Sequence, residues 1–353
     1  MIGSVDLLRR GVLKAGLAAA TIPGASLAAW QGTNIASYHS MNRLRQFKDY
    51  QLGVFVHFGI NTFSGRAKDT FKTPATTYAP SALDVDQWVR LAAELGARYM
   101  VLVAKHNGGF CMWHTTTTDY SVINGSSDQR DVVLEFVTAC YKYNIKPGIY
   151  FNWYDLNVLH PGRAEYLTTE ANEYIQNFVK KSESGAWWDL MMAQLEELLT
   201  SYGSLEMVWL DRGRFVTQPR QQIASDLIRQ HQPNAIINMN VGGNAEGALK
   251  YAPNVVDVVN SESLLPQKRY NPNVTIDGKD YFIPMEVCAS AVDRWVYGEG
   301  TLSLTEEQIV ALWRGSVDNN TNLLLNFAPD RTGVIPQAQF DVAKRAIDTA
   351  TGN

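Results

Sequence analysis

Polar side chains that can carry acid–base chemistry stand at the ends of short apolar runs along this chain. The clearest case is Asp211, which ends the apolar run Met207–Leu210 and comes shortly before the turn residue Gly213. A carboxylate here, next to Trp209, is suited to attack a sugar carbon whose ring lies against the indole. The alternative from this stretch alone is that Asp211 caps the following helix, as strand-end Asp residues often do.

Similar polar residues stand at or near the ends of the other apolar runs. They are His57, Lys105, His106, Asn107, Asn152, Trp153, Asn240, Glu262 and Glu286. Packing alone explains such a set poorly, because a buried charge is costly unless it is paired or functional. Two carboxylates without a set of metal-binding His or Cys residues favour glycoside hydrolysis. No Gly-x-Ser-x-Gly or His-Glu-x-x-His motif supports an esterase or a zinc peptidase.

A scaffold of parallel strands must position these residues, and eight apolar runs alternate with helical patterns. We predict strands at Leu52–Phe58, Arg98–Ala104, Lys146–Asn152, Met207–Asp211, Ala235–Asn240, Val255–Asn260, Phe282–Cys288 and Asn322–Phe327. We predict helices at Asp84–Leu95, Asp131–Tyr143, Trp188–Tyr202, Gln218–Gln230, Thr305–Val317 and Gln337–Thr349, with Asp84 and Thr305 as N-caps. This pattern predicts an α/β fold, a (β/α)8 TIM-like barrel, with its site at the carboxyl ends of the strands. A doubly wound open sheet is the alternative, but no glycine-rich phosphate loop follows the first strand.

The first 28 residues have the features of an export signal. Arg9 and Arg10 precede a mildly apolar stretch rich in Ala and Gly, and Ser26-Leu27-Ala28 offers small residues to a signal peptidase. We therefore expect a twin-arginine-like signal at 1–28, a periplasmic or secreted protein, and a single catalytic barrel domain at 29–353 without a C-terminal β-sandwich. The apolar stretch is too short to span a bilayer, so no membrane anchor is expected after removal of the signal.

Composition narrows the choice of partners. The formal net charge is −4, and the basic signal makes the rest of the chain more acidic still, which argues against a nucleic-acid partner. The three cysteines show neither a paired framework nor a close metal-type spacing. Nine Trp and sixteen Tyr exceed what a core needs, and aromatic rings at the mouth of a site suit the apolar faces of sugars.

Several runs of residues match the motifs of one enzyme family in the right order. The main ones are Ala104–Trp113, Val54–Gly59 and Trp209–Asp211, and further matches lie at 118–122, 131–133, 146–150, 284–288 and 322–326. Ala104–Trp113 resembles the Lys-His-His-Asp-Gly-Phe-x-x-Trp stretch of the α-L-fucosidases, glycoside hydrolase family 29. Val54–Gly59 resembles the first-strand His-Trp-Gly of that family, and Trp209–Asp211 resembles its nucleophile-bearing Trp-Phe-Asp-Gly. The resemblance covers nearly the whole chain after the signal.

The resemblance implies a retaining exo-glycosidase that releases α-L-fucose from fucosylated oligosaccharides or glycoconjugates by double displacement. Asp211 is then the nucleophile and Glu262 the general acid/base, with Glu286 as the alternative acid/base or a structural carboxylate. The implied substrate-binding residues are His57, His106, Asn107, Trp113, Tyr150, Trp153, Trp209 and Glu286. No metal or other cofactor is implied, and the sequence carries no signal for an oligomeric state.

The chain also departs from the family pattern around the expected sugar site. Asn107 and Gly108 replace the second His and the Asp of the motif, and Arg212 stands where Gly is usual after the nucleophile. The run 238–240 lacks the Arg that often follows the fifth strand. Three alternatives stay open: an α-L-galactosidase, a transfucosidase, and an inactive carbohydrate-binding barrel. The retained Asp211 and Glu262 argue against the last, because a binding protein needs neither.

Overall fold

The computed structural model describes residues 41–64, 73–125, 129–159, 185–213, 216–240, 249 and 255–352, with the side chains of 158 and 159 excepted. The predicted export signal at 1–28 lies outside the described residues. Within the described ranges, no helix is long and apolar enough to cross a membrane.

The described chain contains a barrel of parallel strands and one hairpin. The strands are β1 Leu52–Val56, β2 Tyr99–Lys105, β3 Lys146–Asn152, β4 Met207–Asp211, β5 Ile236–Met239, β6 Val259–Glu262, β7 Asn273–Ile276, β8 Lys279–Phe282, β9 Met285–Ser290 and β10 Asn322–Phe327. Eight of them form one parallel sheet in the order β5-β4-β3-β2-β1-β10-β9-β6. A parallel bridge between Asn238 and Val258 joins the two ends of this sheet. The predicted (β/α)8 barrel is confirmed.

The helices of the described ranges alternate with the barrel strands. They are α1 Met41–Lys48, α2 Ile60–Ser64, α3 Val85–Glu94, α4 Val132–Lys142, α5 Leu156–Leu159, α6 Gly185–Ser201, α7 Gln218–His231, α8 Glu306–Ser316 and α9 Gln337–Thr351, with 3₁₀ turns at Ala75–Thr77, Val122–Asn124 and Val317–Asn319. Both predicted caps are confirmed. Asp84 accepts a hydrogen bond from the backbone N–H of Gln87, and Thr305 forms a capping box with Gln308.

Alternation along each strand sends side chains into two separate apolar clusters. On β4, Met207 and Trp209 belong to the cluster inside the barrel, whereas Val208 and Leu210 belong to the layer between strands and helices. Asp211 has the parity of Met207 and Trp209. Its carboxylate is therefore directed inward at the end of the strand.

Two of the eight predicted barrel strands are displaced by more than one residue along the sequence. The predicted strand Val255–Asn260 pairs regularly only at β6, because Asp257 is buried in an ion pair with Arg229 at 2.6 Å and accepts from the backbone N–H of Ile237 at 2.8 Å. The predicted strand Phe282–Cys288 begins later, as β9, because Phe282 ends the antiparallel hairpin β7–β8. The hairpin turn Asp277-Gly278 has two positive φ angles, 50° and 76°. Asp-Gly is a hairpin signal that the sequence analysis missed.

Candidate active site

A cavity of about 180 Å³ opens at the carboxyl ends of the barrel strands. It is lined by Phe55, His57, His106, Asn107, Tyr150, Trp209, Asp211, Arg212, Asn240, Glu262, Cys288 and Trp295. Seven of the residues predicted from the sequence meet here: His57, His106, Asn107, Tyr150, Trp209, Asp211 and Glu262. Residues far apart in sequence converge because parallel strands all end on one side of the barrel.

Asp211 is a buried carboxylate whose two oxygens are held by three donors. Oδ2 accepts from the Tyr150 hydroxyl at 2.7 Å and from Asn152 Nδ2 at 3.0 Å, and Oδ1 accepts from the backbone N–H of Arg212 at 2.8 Å. The next helix, α7, begins at Gln218 with Thr217 as its N-cap. Asp211 therefore does not cap that helix, and the alternative considered from the sequence is wrong.

His57 is a neutral imidazole with a defined tautomer. Its Nδ1 lies 2.7 Å from Oδ1 of Asn326, whose own Nδ2 donates to the backbone carbonyl of Trp295 at 3.0 Å. That second bond fixes which way the amide faces, so His57 Nδ1 carries the proton and Nε2 is left as an acceptor. Burial, reinforced by the nearby His106, lowers the pKa of His57 to about 3.

His106 lies beside it and is also neutral, because its removal from water lowers its pKa. Its Nδ1 is 2.9 Å from Oδ1 of Asn107, and its ring stacks on Tyr150 at 5.8 Å between ring centroids. The two imidazoles thus present uncharged hydrogen-bonding edges to the cavity. Such groups match the hydroxyls of a sugar without adding charge.

Aromatic rings form the cavity floor and one wall. Trp209 stacks on Tyr150 at 5.3 Å with 24° between the planes, and Phe55 packs against Trp209 at 5.5 Å. Trp295 lies 5.2 Å from the His57 ring. Trp295 was missed in the sequence. It follows β9 within a loop, and its only signal there is an aromatic residue shortly after a strand.

Glu262 differs from Asp211 in its surroundings. It ends β6, is exposed to solvent, and accepts a hydrogen bond from Asn240 Nδ2 at 2.8 Å through Oε2. One carboxylate of the cavity is therefore fixed and buried, whereas the other stands at the rim and is accessible to water. This asymmetry suits a nucleophile and a proton-exchanging group, respectively.

Glu286 lies below the cavity and does not line it. It pairs in register with Asn260 of β6, two residues before Glu262, so it points into the barrel one layer deeper. Fully buried, it accepts from Tyr99 at 2.5 Å, from Trp209 Nε1 at 2.9 Å and from Asn238 Nδ2 at 2.6 Å. This position supports a structural carboxylate, and it gives no support to an acid/base or a substrate-contacting role.

Trp113 and Trp153 also lie away from the cavity. Trp113 is buried and donates to Glu197 Oε2 at 2.9 Å, whereas Trp153 is buried against Trp188 at 5.6 Å between ring centroids. Both rings pack under helix α6. The structure therefore gives no support to the predicted contact of these two residues with substrate. Trp153 directly follows β3, but its place in the sequence did not reveal which way its ring turns.

Lys105 acts from behind the cavity by holding the loop that carries His106. Its Nζ is fully buried and donates to Gln194 Oε1 at 2.7 Å and to Asp155 Oδ2 at 3.3 Å, and it lies 4.2 Å above the Phe151 ring. Asp155 packs against Gly109, where a Cβ atom would come within 2.2 Å of its Oδ1. The neighbouring Leu156 N–H donates to the Asn107 carbonyl at 2.9 Å, so the segment that carries Asp155 is tied to the loop after His106. Sequence spacing alone did not identify Asp155 or Gln194. Among the described residues, no group of three or more His, Cys, Asp or Glu is placed to hold a metal ion.

We expect Glu286→Gln to abolish one component of the pH dependence of folding stability. Burial raises the pKa of Glu286 to about 7 from an ordinary 4.5. The folded state therefore favours the protonated form, and this contribution is complete below about pH 4.5 and is lost as the pH rises through about 7. The loss is on the order of 3 kcal/mol. The substitution is nearly isosteric, and the new amide oxygen is placed to accept from Trp209 and Asn238 as Oε1 does now.

Urea unfolding at pH 5 and pH 8 measures this effect. The wild type should lose more free energy of unfolding between the two pH values than Glu286→Gln. The exposed Glu299→Gln is the control, and it should keep the wild-type slope. Equal slopes in wild type and Glu286→Gln would show that Glu286 does not titrate in this range.

A barrel whose cavity combines neutral imidazoles, stacked aromatic rings and two carboxylates has the features of a glycoside hydrolase. The family model described as "Alpha-L-fucosidase" matches residues 25–346. The chain therefore belongs to the α-L-fucosidase family.

Individual proteins that the chain resembles are also named as α-L-fucosidases. The chain is 28% identical over 312 residues to "Alpha-L-fucosidase 1" of Arabidopsis thaliana, which covers 83% of this chain and 57% of the plant protein. A putative α-L-fucosidase from Bacteroides thetaiotaomicron superposes with a TM-score of 0.71 at 27% identity, covering 88% of this chain and 67% of that one. α-L-Fucosidase isoenzyme 1 from Paenibacillus thiaminolyticus gives 0.70 at 25% identity, with 88% and 76% covered. The chain thus spans little more than half the length of the plant relative.

Proposed function

We propose that this protein is a retaining exo-glycosidase that releases α-L-fucose from fucosylated oligosaccharides or glycoconjugates. The observation that carries the proposal is the carboxylate of Asp211, fixed by three donors at the base of a cavity that also holds Glu262. The identity of the sugar rests on family membership, and the double-displacement mechanism rests on the different surroundings of the two carboxylates.

In the first step, Asp211 attacks the anomeric carbon and forms a glycosyl-enzyme ester. The donors to Oδ2, Tyr150 and Asn152, hold the carboxylate so that little reorganisation is needed as the bond forms. Glu262 gives a proton to the departing oxygen from the rim, where an aglycone enters. In a retaining enzyme these two carboxyl groups lie about 5–5.5 Å apart.

In the second step, water replaces the aglycone and Glu262 takes its proton. The water attacks the anomeric carbon, the ester to Asp211 breaks, and fucose leaves with its original anomeric configuration. The exposure of Glu262 fits this step, because the attacking water has to reach this carboxylate from solvent, and the proton it gives up restores the acid form. A sugar hydroxyl in place of water gives transfer, which is the transfucosidase alternative.

The neutral pair His57 and His106 holds the sugar ring over the stacked rings of Tyr150 and Trp209. The unprotonated Nε2 of His57 accepts from a sugar hydroxyl, and the aromatic floor packs against the apolar face of the ring. Because desolvation lowers the pKa of both imidazoles, this arrangement keeps the same hydrogen-bond polarity across the neutral pH range.

Matched aryl glycosides test the proposed function. The enzyme should hydrolyse 4-nitrophenyl α-L-fucoside and release the α-anomer first, as followed by NMR, and then act on fucosylated oligosaccharides. Faster hydrolysis of the α-L-galactoside would reassign the sugar, and 4-nitrophenyl β-D-galactoside is the negative control. Binding of fucose without turnover of any member of the panel would leave the inactive carbohydrate-binding barrel as the correct assignment.

We also propose export through the twin-arginine route, on the strength of Arg9, Arg10 and the small residues up to Ala28. Replacing Arg9 and Arg10 by Lys should retain the protein in the cytoplasm of its host, measured by cell fractionation. Normal export of that variant would rule out this route.

A further inference from the structure

Arg212 adopts a backbone conformation that is unusual for its residue type. Its φ is 62°, in the left-handed region that favours glycine, and it directly follows the carboxylate Asp211 at the end of β4. A large side chain at such a position is strained, and strained residues cluster at functional sites. The conformation brings the backbone N–H of Arg212 to Oδ1 of Asp211 and the side chain to the cavity wall.

The guanidinium of Arg212 has hydrogen-bonding capacity that the described protein does not use. Its Nε lies 3.9 Å from Asp211 Oδ2, too far for a hydrogen bond, and its side chain is 36% exposed. Within the described ranges, this guanidinium donates no hydrogen bond to protein. The carboxylate of Asp211 already has three other donors, so it does not need the side chain of Arg212 to satisfy it.

Charge distinguishes Arg212 from the other basic residues of the cavity wall. His57 and His106 are neutral, as their lowered pKa values require. Among the described residues that line the cavity, Arg212 carries the permanent positive charge. A planar guanidinium with five N–H donors matches the paired oxygens of a carboxylate or a sulfate.

We propose that Arg212 forms a binding position for an anionic group, a sulfate ester or a carboxylate, on the glycoside that occupies the cavity. This inference rests on the proposed function for the identity of the sugar. It adds a preference for acidic over neutral α-L-fucosides. The guanidinium lies beside Asp211, the proposed nucleophile. We therefore expect the anionic group to be on the sugar ring rather than on the aglycone. An anionic group on the aglycone is the alternative, and the experiment below distinguishes the two positions.

Binding measured by calorimetry, without turnover, separates this inference from the hydrolase activity. Wild-type enzyme should bind at least one of the 2-, 3- and 4-O-sulfates of L-fucose about tenfold or more tightly than L-fucose itself, as expected for a charge-assisted pair. The preference should weaken in 0.5 M NaCl. For the aglycone, kcat/KM for 3-carboxy-4-nitrophenyl α-L-fucoside is compared with that for the 4-nitrophenyl analogue.

Three variants of Arg212 identify the group responsible. Arg212→Gln removes the charge at similar length, Arg212→Gly also relieves the left-handed backbone, and Arg212→Lys keeps the charge. The first two should lose the anionic preference while still binding neutral L-fucose, and the Lys variant should keep part of it. Arg294→Gln is the matched control, because Arg294 is partly exposed in the loop that carries Trp295 and is paired with Asp293.

The outcomes are distinct from those of the function test. Hydrolysis of neutral fucosides by an enzyme that binds no sulfated fucose more tightly than fucose, and shows no preference for the carboxylated aglycone, overturns the inference and leaves the proposed function intact. Tight binding of a sulfated fucose without turnover of any fucoside supports the inference about Arg212 and overturns the proposed hydrolase function. Equal losses on neutral and anionic ligands in Arg212→Gln would also overturn the inference, because Arg212 would then act through Asp211. Melting temperatures of the three variants confirm that each one is folded.

Discussion

Asp211→Ala is expected to lower the turnover of an aryl α-L-fucoside by roughly 10⁴-fold or more, as removal of a nucleophile does in other covalent enzymes. The variant loses the carboxylate that we propose forms the glycosyl ester, and no other described carboxylate occupies its place at the base of the cavity. The barrel should stay folded, because Tyr150 lines a cavity that water can enter and Asn152 Nδ2 keeps the Tyr150 hydroxyl as an acceptor at 2.8 Å. Circular dichroism and the melting temperature check the fold.

Added azide should partly restore the activity of Asp211→Ala. A small anion can occupy the space of the missing side chain and attack the anomeric carbon from that face, which gives a product of inverted configuration. Asp280→Ala, at an exposed carboxylate of the β7–β8 hairpin, is the control and should keep full activity. Near-normal turnover of Asp211→Ala without azide would contradict the assignment of Asp211 as nucleophile.

Glu262→Ala is expected to have an effect that depends on the leaving group. A natural sugar leaving group needs a proton in the transition state, so kcat/KM for a fucosylated oligosaccharide should fall roughly 10²–10⁴-fold. An acidic phenol departs with little help, so the same variant should form the intermediate from an activated aryl fucoside at a modestly reduced rate. In the proposed mechanism Glu262 is also the base that hydrolyses this intermediate, so the glycosyl-enzyme should accumulate as a burst.

Glu286 provides the matched comparison for this experiment. Glu286→Gln removes a carboxylate one layer below Glu262 and outside the cavity, so its kcat/KM should change by a similar factor for good and poor leaving groups. Equal losses in Glu262→Ala on both substrates would identify Glu262 as a binding residue. A leaving-group dependence confined to Glu286→Gln would return the acid/base role to Glu286.

The sequence predicted the barrel well because its strands are buried on both faces. β3, β4 and β10 have the predicted limits, since nearly every residue of these three strands is buried and each has an apolar centre. One displaced strand, β6, deviates where a polar side chain enters the core, and the other, β9, deviates where the β7–β8 hairpin uses Phe282. Asp257 pairs with Arg229 and interrupts the regular pairing before β6, so apolar content alone misplaced that strand.

The sequence predicted cavity residues correctly at positions that face into the barrel and also lie at the end of a strand. Asp211 and His57 are the inward-facing residues at or just beyond strand ends, and both line the cavity. Glu286 has the inward parity but lies at the second position of β9, so it faces the barrel interior below the cavity. Parity gives the direction of a side chain, and register between neighbouring strands gives its depth. The register became available only with the three-dimensional pairing of β6 and β9.

Covalent trapping identifies the nucleophile directly. A 2-deoxy-2-fluoro-α-L-fucosyl fluoride combines a slowed second step with a reactive leaving group, so the glycosyl-enzyme should accumulate and be detectable by mass spectrometry of the intact chain. We expect one fluorofucosyl group per chain, located by peptide sequencing on Asp211. A label on Glu262, Glu286 or another residue, or full hydrolytic activity without any trapped intermediate, would contradict this expectation.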